Sequence, residues 1–174
     1  EMNIQDLNSM AKSLHKIAAE YYLGIWSDKK KPFTYTENQM KMFGLKTNQG
    51  EEDRKVPKQP LFFGNETEKR YNLKKLSSLP YHLAVIGDVN GLQSLLCNFS
   101  FLLTKMMAFS VNEVLFDFEF AEKFVSDPQL NIVGTSLRSV ASTLVRDVRN
   151  IAPEIVGMLY NYSHKSEFPN LKKL

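Results

Sequence analysis

Apolar side chains recur along most of the chain with the spacing of one-sided helices. The first segment of this kind runs from Ile4 to Trp26, and the positions between its apolar residues include Lys12 and Lys16. This spacing places the apolar side chains on one face, because an α-helix has 3.6 residues per turn. The region 1–26 is therefore predicted to be a first helix that packs on one side only.

The periodicity stops between residues 27 and 65. This region is rich in lysine, glycine, proline and acidic residues, as in the stretches DKKKP at 28–32 and QGEED at 49–53. Such a composition predicts a flexible and partly disordered connector. Within it, the stretch VPKQPLFF at 56–63 combines prolines with apolar side chains, so we expect it to dock back as an extended segment.

Helical periodicity returns at residue 66 and defines a helical array over 66–174. We interpret Pro80 as lying inside one kinked helix that stops at Gly87, rather than as the start of a second helix. Further helices are predicted from about Asp88 and from Ile151. The remaining helix starts carry local signals, namely a capping Asn98, a capping box from Ser110 to Glu113, and a proline in the first turn after Asp127.

The pattern predicts about seven helices and no convincing alternating strand. Helices that each bury one stripe pack in pairs, so we expect an all-α fold in which an irregular helical-hairpin or superhelical array and the long connector form one helical domain. No internal period marks a regular repeat array.

Composition narrows the environment and the partners. Hydrophobic residues make up 43% of the chain and charged residues 24%, and no apolar run approaches the roughly 20 residues of a membrane-spanning helix. A net charge of +3, spread along the chain, gives no patch for nucleic acid. We therefore expect neither nucleic acid nor a membrane as a partner. The single cysteine predicts a cytoplasmic location, and the start without a leader predicts a segment excised from a larger protein.

The sequence contains no pattern of residues typical of catalysis or cofactor binding. His15, His82 and His164 are far apart, and the scattered glycines form no phosphate loop, so we expect no metal site, no cofactor and no catalytic residue. The acidic residues Asp117, Glu119 and Glu122 are interpreted as a solvated helix face. A helical hydrolase, the catalytic alternative, would require Asp117 or Glu119 beside a histidine in a cleft.

Four residues are candidates for protein contacts. Three of them are arginines: Arg146 and Arg149 follow Arg138 by eight and eleven positions. On a helix this spacing brings the three side chains near one face, which would suit contact with an acidic surface. The alternative is that these arginines are simply solvated. Trp26, at the border between helix and connector, is a candidate contact with an adjoining domain.

Several ordered motifs resemble a known family. They are LHKIAAEYYLGIW at 14–26, RKVPKQPLFF at 54–63, RYNLKKLSSLPYHL at 70–83, LQSLLCNFSFLLTK at 92–105, SVNEVLFDF at 110–118 and SLRSVASTL at 136–144. In this order they resemble the NACHT and WD-repeat domain-containing proteins, in the helical region between the ATPase and winged-helix parts and the propeller. A fainter similarity is to the helical arm of the apoptotic protease activating factor. The chain departs from the family at Asp147-Val148, where a proline would open the next helix.

The resemblance implies a non-catalytic helical linker arm in a STAND-type signalling NTPase. Such an arm would couple the nucleotide-binding half to the WD-repeat sensor and would contact these domains of the same chain. As a scaffold it would also contact other proteins. The parent protein would bind ATP, but no nucleotide-binding residue of the family lies in this chain. The alternative function is a helical adaptor that binds a peptide or a partner helix in a groove.

Overall fold

The structure is a computed structural model that describes residues 4–51, 55–65, 67–163 and 168–171, with the backbone alone for residues 4–7 and 163. In these residues the fold is all-α, as predicted. The helices are α1 Ile4–Leu23, α2 Glu37–Phe43, α3 Leu73–Ile86, α4 Val89–Leu96, α5 Phe99–Ala108, α6 Val111–Glu122, α7 Pro128–Arg146 and α8 Ile151–Ser163. All seven predicted helices are present, and α2 is an additional one.

The first helix ends earlier than its apolar pattern suggested. It stops at Leu23 because Gly24 adopts a left-handed conformation with φ of +73°, which glycine tolerates without strain. The amide of Gly24 closes the helix by donating to the carbonyl of Glu20. Trp26 therefore lies beyond the helix.

The connector contains regular elements that the sequence pattern missed. Strands β1 Pro32–Thr34 and β2 Gln49–Glu51 pair antiparallel on either side of α2, and β3 Phe62–Phe63 pairs with β4 Arg70–Tyr71. These strands are two or three residues long, which is too short for a period-two alternation to be recognised. No described residue between 27 and 65 is buried, so these elements lie at the surface.

The proline-containing segment 56–63 lies between the end of α1 and the start of α3. The amide of Val56 donates to the carbonyl of Trp26 at 3.1 Å, and the amide of Asn72 donates to the carbonyl of Leu61 at 2.9 Å. The Nζ atom of Lys75 donates to the carbonyl of Gln59. These bonds join the connector to the α1 and α3 ends of the array.

Side-chain caps fix the helix starts. The side chains of six residues each accept a hydrogen bond from the amide three positions later; they are Thr36, Asn72, Asp88, Asn98, Ser110 and Asp127. Each bond satisfies a backbone donor that the first helical turn leaves free. Helix α3 continues through Pro80 as a single helix, as expected, and Gly87 ends it with φ of +74°.

The core joins α3 to α8 in one continuous apolar cluster. Helix α3 packs on α4 and α6, α6 packs on α7, and α7 packs on α4 and α8, while α1 packs on α3 at the edge. Gly134 on α7 allows a close crossing with α6, since an added Cβ atom would lie 3.1 Å from the ring of Phe118. Near the C-terminus, the amide of Asn170 bonds to the side chain of Gln129, and Leu171 is buried.

Candidate functional site

A half-open cleft lies between α3 and α6. Its cavity has a volume of about 350 Å³, at the small end of the range for ligand sites. Helix α6 lines it with Glu113, Phe116, Asp117 and Phe120, which share one face because their positions differ by three, four and seven. Helix α3 and α5 contribute the other wall with Ser77, Ser78, Pro80, Tyr81, His82 and Lys105.

A buried ion pair forms the floor of this cleft. The Nζ atom of Lys105 on α5 lies 2.6 Å from Oδ2 of Asp117 on α6, and the two side chains are only 2% and 8% exposed. Oδ1 of Asp117 has no hydrogen-bond partner among the described residues. The carboxyl group therefore keeps one oxygen available to the cavity.

The position of Asp117 contradicts the prediction of a solvated helix face. The pKa of Asp117 is raised to about 7, mainly by burial and to a smaller extent by the nearby Glu113, against the opposing effect of Lys105. The prediction was wrong because the partner, Lys105, lies on another helix and is 12 positions away. Glu119 and Glu122 are exposed, as predicted.

A histidine pair joins α1 to α3 beside the cleft. Nδ1 of His15 lies 2.8 Å from Nδ1 of His82, so one ring donates the hydrogen bond and the other accepts it. Tyr22 stacks on His82, and Tyr81 meets the ring of His15 edge-on. Burial, followed by the proximity of His15, lowers the pKa of His82. Both histidines are half-buried and pack between α1 and α3, and His164 lies outside the described residues.

A row of aromatic rings follows the outer face of α6. Phe120 lies between Phe116 and Phe124, with ring centroids 6.0 and 5.0 Å away, and Tyr81 of α3 stacks on it at 5.2 Å. Phe116 is 54% exposed and Phe124 is 48% exposed. The row therefore presents apolar surface at the mouth of the cleft.

The apolar stripe of α1 is only partly used. Four of its residues at helical spacing, Met10, Leu14, Ile17 and Tyr21, are exposed, with Leu14 exposed to 59%. Neighbouring positions form the side that faces α3. Among the described side chains of α1, Ala19 is the one that is buried. The helix thus packs on one side, as predicted, but a second part of its apolar stripe faces outward.

Polar groups from α3, α5 and α6 converge in the cleft, although the sequence contains no pattern that brings them together. His82 and Asp117 line the same cavity, which is the condition stated for a helical hydrolase. Both are already engaged, His82 by His15 and Asp117 by Lys105. The hydroxyl of Ser77 donates to the carbonyl of Lys74 rather than to a base. The described hydrogen bonds therefore assemble no nucleophile with a base.

The predicted contact residues do not come together. Trp26 is half-buried; its indole donates to Glu20 at 3.0 Å, and the Nζ atom of Lys29 lies 5.0 Å from its ring. Arg138 on α7 forms an exposed ion pair with Glu119 at 3.7 Å. The role of Trp26 as a domain contact stays a prediction.

The helical spacing does not apply to all three arginines. Helix α7 ends at Arg146, which is exposed, and Arg149 lies in the following 3₁₀ turn Val148–Asn150. Arg149 bonds to Asp147 at 2.9 Å, and Asp147 caps this turn in place of the proline expected there. The role of the three arginines as contacts to an acidic surface likewise stays a prediction.

Sequence reasoning missed the cleft residues Lys105, Glu113 and Phe116. The spacing of Glu113, Phe116, Asp117 and Phe120 on α6 was a usable signal, because it combines two carboxylates and two aromatic rings on one face. Within the described ranges, no three potential metal ligands cluster, and no helix has the length and apolarity needed to cross a membrane.

The described chain is an all-α helical array with a polar cleft and an exposed apolar helix face. Human NACHT and WD repeat domain-containing protein 2 is 28% identical to it over 192 residues, covering 100% of this chain and 11% of that protein. The mouse protein of the same name is 28% identical over 185 residues, covering 96% of this chain and 10% of that protein. Mouse NACHT domain- and WD repeat-containing protein 1 is 30% identical over 126 residues, or 71% of this chain and 7% of that protein.

The chain is therefore a homologue of a segment of the NACHT and WD repeat domain-containing proteins 1 and 2, and the family resemblance of its motifs is confirmed. It spans about a tenth of the length of the type 2 relatives. No protein-family profile matches the chain, and no solved structure matches it.

Proposed function

We propose that this chain is a non-catalytic helical arm of a STAND-type signalling NTPase. In this role the array holds the nucleotide-binding half and the WD-repeat sensor in relation to each other and transmits rearrangements between them. Its partners are other domains of the same parent protein, in the cytoplasm. The names of its relatives, which combine NACHT and WD repeat domains, support this context.

The exposed stripe of α1 is the observation that carries the proposal. Met10, Leu14, Ile17 and Tyr21 form a continuous apolar surface along one helix. Leaving such surface in water forgoes about 25 cal/mol for each Å² that a partner would cover. Contiguous apolar surface of this kind marks sites of protein contact. Since about nine tenths of each type 2 relative lies outside the matched segment, the parent protein is the natural source of the covering surface.

The cleft supports a second candidate, a helical adaptor that binds a partner segment. Phe116 and Tyr81 expose aromatic surface at its mouth, next to the buried pair of Lys105 and Asp117. A groove with apolar walls and a few polar groups is suited to a peptide side chain. The adaptor and the arm differ in which surface is used, so variants of α1 and of the cleft separate them.

Cross-linking within the parent protein tests the arm. The exposed amines of Lys12 and Lys16 lie two positions before and after Leu14, on the other side of α1 from the stripe. With a linker longer than the roughly 10–12 Å diameter of a helix, we expect mass spectrometry to find them cross-linked to residues outside this chain. Leu14→Glu places a charge in the stripe, so these cross-links are expected to fall at least fivefold. The change lies at an exposed position, so the free energy of unfolding should stay within about 0.5 kcal/mol of the wild type.

Met42→Glu is the matched control, since Met42 is 81% exposed on α2 and lies outside the stripe. It is expected to leave the cross-links of Lys12 and Lys16 unchanged. If Leu14→Glu leaves the cross-links intact, the α1 face is not the contact and the arm loses its main support.

A further inference from the structure

We propose that the cleft between α3 and α6 binds the side chain of an arginine on a partner protein segment, between the rings of Phe116 and Tyr81 and the carboxylates of Glu113 and Asp117. The inference concerns a different surface from the α1 stripe. The experiments on the cleft and on the α1 stripe can therefore fail independently of each other.

The charges of the cleft favour a cation. Glu113 and Asp117 supply two carboxylates one helical turn apart, whereas Lys105 is the one cation among the lining residues. The Lys105 side chain is 2% exposed and its ammonium group already bonds to Oδ2 of Asp117, so it does not balance the charge of Glu113. His82 also lines the cavity, but its lowered pKa keeps it uncharged at neutral pH. When Asp117 is ionised, the lining therefore carries one excess negative charge.

Asp117 offers a specific acceptor for this cation. Its side chain is only 8% exposed, and its Oδ1 atom has no hydrogen-bond partner among the described residues. The pKa of about 7 reflects a carboxylate that burial destabilises and that a single lysine stabilises incompletely. A second cation beside Oδ1 would favour the ionised form, so occupancy of the cleft should lower this pKa.

The aromatic walls favour arginine over lysine. A guanidinium group is planar, stacks on aromatic faces and is less strongly hydrated than an ammonium group. The rings of Phe116, Phe120 and Tyr81 form a stacked group at the cleft, with Phe116 exposed to 54%. The same fork of donors fits the carboxylates of Glu113 and Asp117. Carboxylates, rings and a cavity of about 350 Å³ thus match one flat cationic group on a flexible stem.

Binding of blocked arginine to the 174-residue chain tests the site. The probe is Nα-acetyl-arginine amide, titrated at pH 7.5 while NMR follows backbone amides and the side-chain carboxyls. We expect saturable shifts at Glu113, Phe116 and Asp117 with a dissociation constant on the order of 1 mM, as for a ligand of this size. The neutral isostere Nα-acetyl-citrulline amide is expected to bind at least tenfold more weakly, and the lysine analogue at least threefold more weakly.

Paired variants locate the site. Glu113→Gln and Phe116→Ala, both at exposed positions, should each weaken binding of the arginine probe roughly threefold to tenfold. Glu122→Gln on α6 and Phe43→Ala on α2 change the same residue types at exposed positions outside the cleft lining, and they should leave binding unchanged. Melting curves of all four variants confirm that the fold is retained.

Several results would overturn the proposal. Absence of saturable shifts up to 20 mM probe would remove the site, and equal binding of the citrulline probe would remove its cationic character. Equal or tighter binding of the lysine probe would overturn the assignment to arginine. Tighter binding of free arginine than of the blocked probe would indicate a metabolite site instead of a protein partner.

Discussion

Lys105 and Asp117 are 12 positions apart and come together where α5 packs on α6. Removing two charged groups from water costs several kcal/mol each, which their attraction in the interior offsets only with good geometry. The distance of 2.6 Å provides that geometry. The ion pair therefore contributes little net stability. It constrains the sequence instead, because either charged group buried without the other would destabilise the fold.

Asp117→Leu tests this constraint. The variant leaves the ammonium group of Lys105 buried without its carboxylate, so the free energy of unfolding is expected to fall by about 3–5 kcal/mol at pH 8, above the pKa of Asp117. The double variant Lys105→Met with Asp117→Leu replaces the pair by apolar side chains and should recover most of this loss. Urea denaturation of the wild type, both single variants and the double variant measures the coupling. A double variant no more stable than Asp117→Leu would contradict this account.

At the level of elements, the crossing of α6 and α7 depends on a single small residue. Gly134 is buried on α7, and its neighbours on α6 are the Cβ and ring atoms of Phe118, a side chain that is 1% exposed and held within the core. Glycine is a poor helix former, by about 1 kcal/mol relative to alanine. Its presence in the middle of α7 is explained by the close approach of the two helices.

A matched pair of substitutions separates helix propensity from packing. Gly134→Ala gains propensity but places its Cβ atom about 3.1 Å from Phe118, so we expect a net loss of about 1–3 kcal/mol in the free energy of unfolding. Gly157→Ala on α8 meets nothing within 4 Å, so it should stabilise the chain by up to about 1 kcal/mol. Chemical denaturation of both variants provides the comparison. A stabilising Gly134→Ala would show that Phe118 moves aside without cost.

At the level of the whole molecule, burial is unevenly distributed. The buried apolar residues from Leu76 to Leu159 form one core across α3 to α8. By contrast, Ala19 is the one buried residue among the described side chains of α1, and no described residue between 27 and 65 is buried. Local opening is easier where fewer apolar contacts must be broken. The N-terminal third is therefore held to the array mainly by its edge contacts with α3.

Hydrogen exchange followed by mass spectrometry should show this division in the isolated chain. Amides of α1 and of 27–65 are expected to exchange at least tenfold faster than those of α3, α6 and α7, because their opening exposes little core. Helix α4 is the internal control, since it has only 8 residues but buries Leu92 and Leu96. Protection of α1 equal to that of α6 would contradict the division.

Local signals in the sequence determined the helices of this protein. Asn98, Ser110 and Asp127 cap helices at the predicted positions, because a cap depends on residues within one turn of itself. The apolar periodicity located seven helices for the same reason. It did not locate α2 or the short strands, whose few residues carry too little pattern.

Only the tertiary structure decided which surfaces face each other. His15 and His82 are 67 positions apart, and periodicity assigns each to a face without naming its partner. For the same reason the pattern predicted that Asp117 is solvated, although it pairs with Lys105 on another helix. The pattern also predicted that the apolar stripe of α1 is its packed side, although part of that stripe faces outward. A helical period is a property of neighbouring residues, whereas burial and charge pairing depend on how distant helices pack.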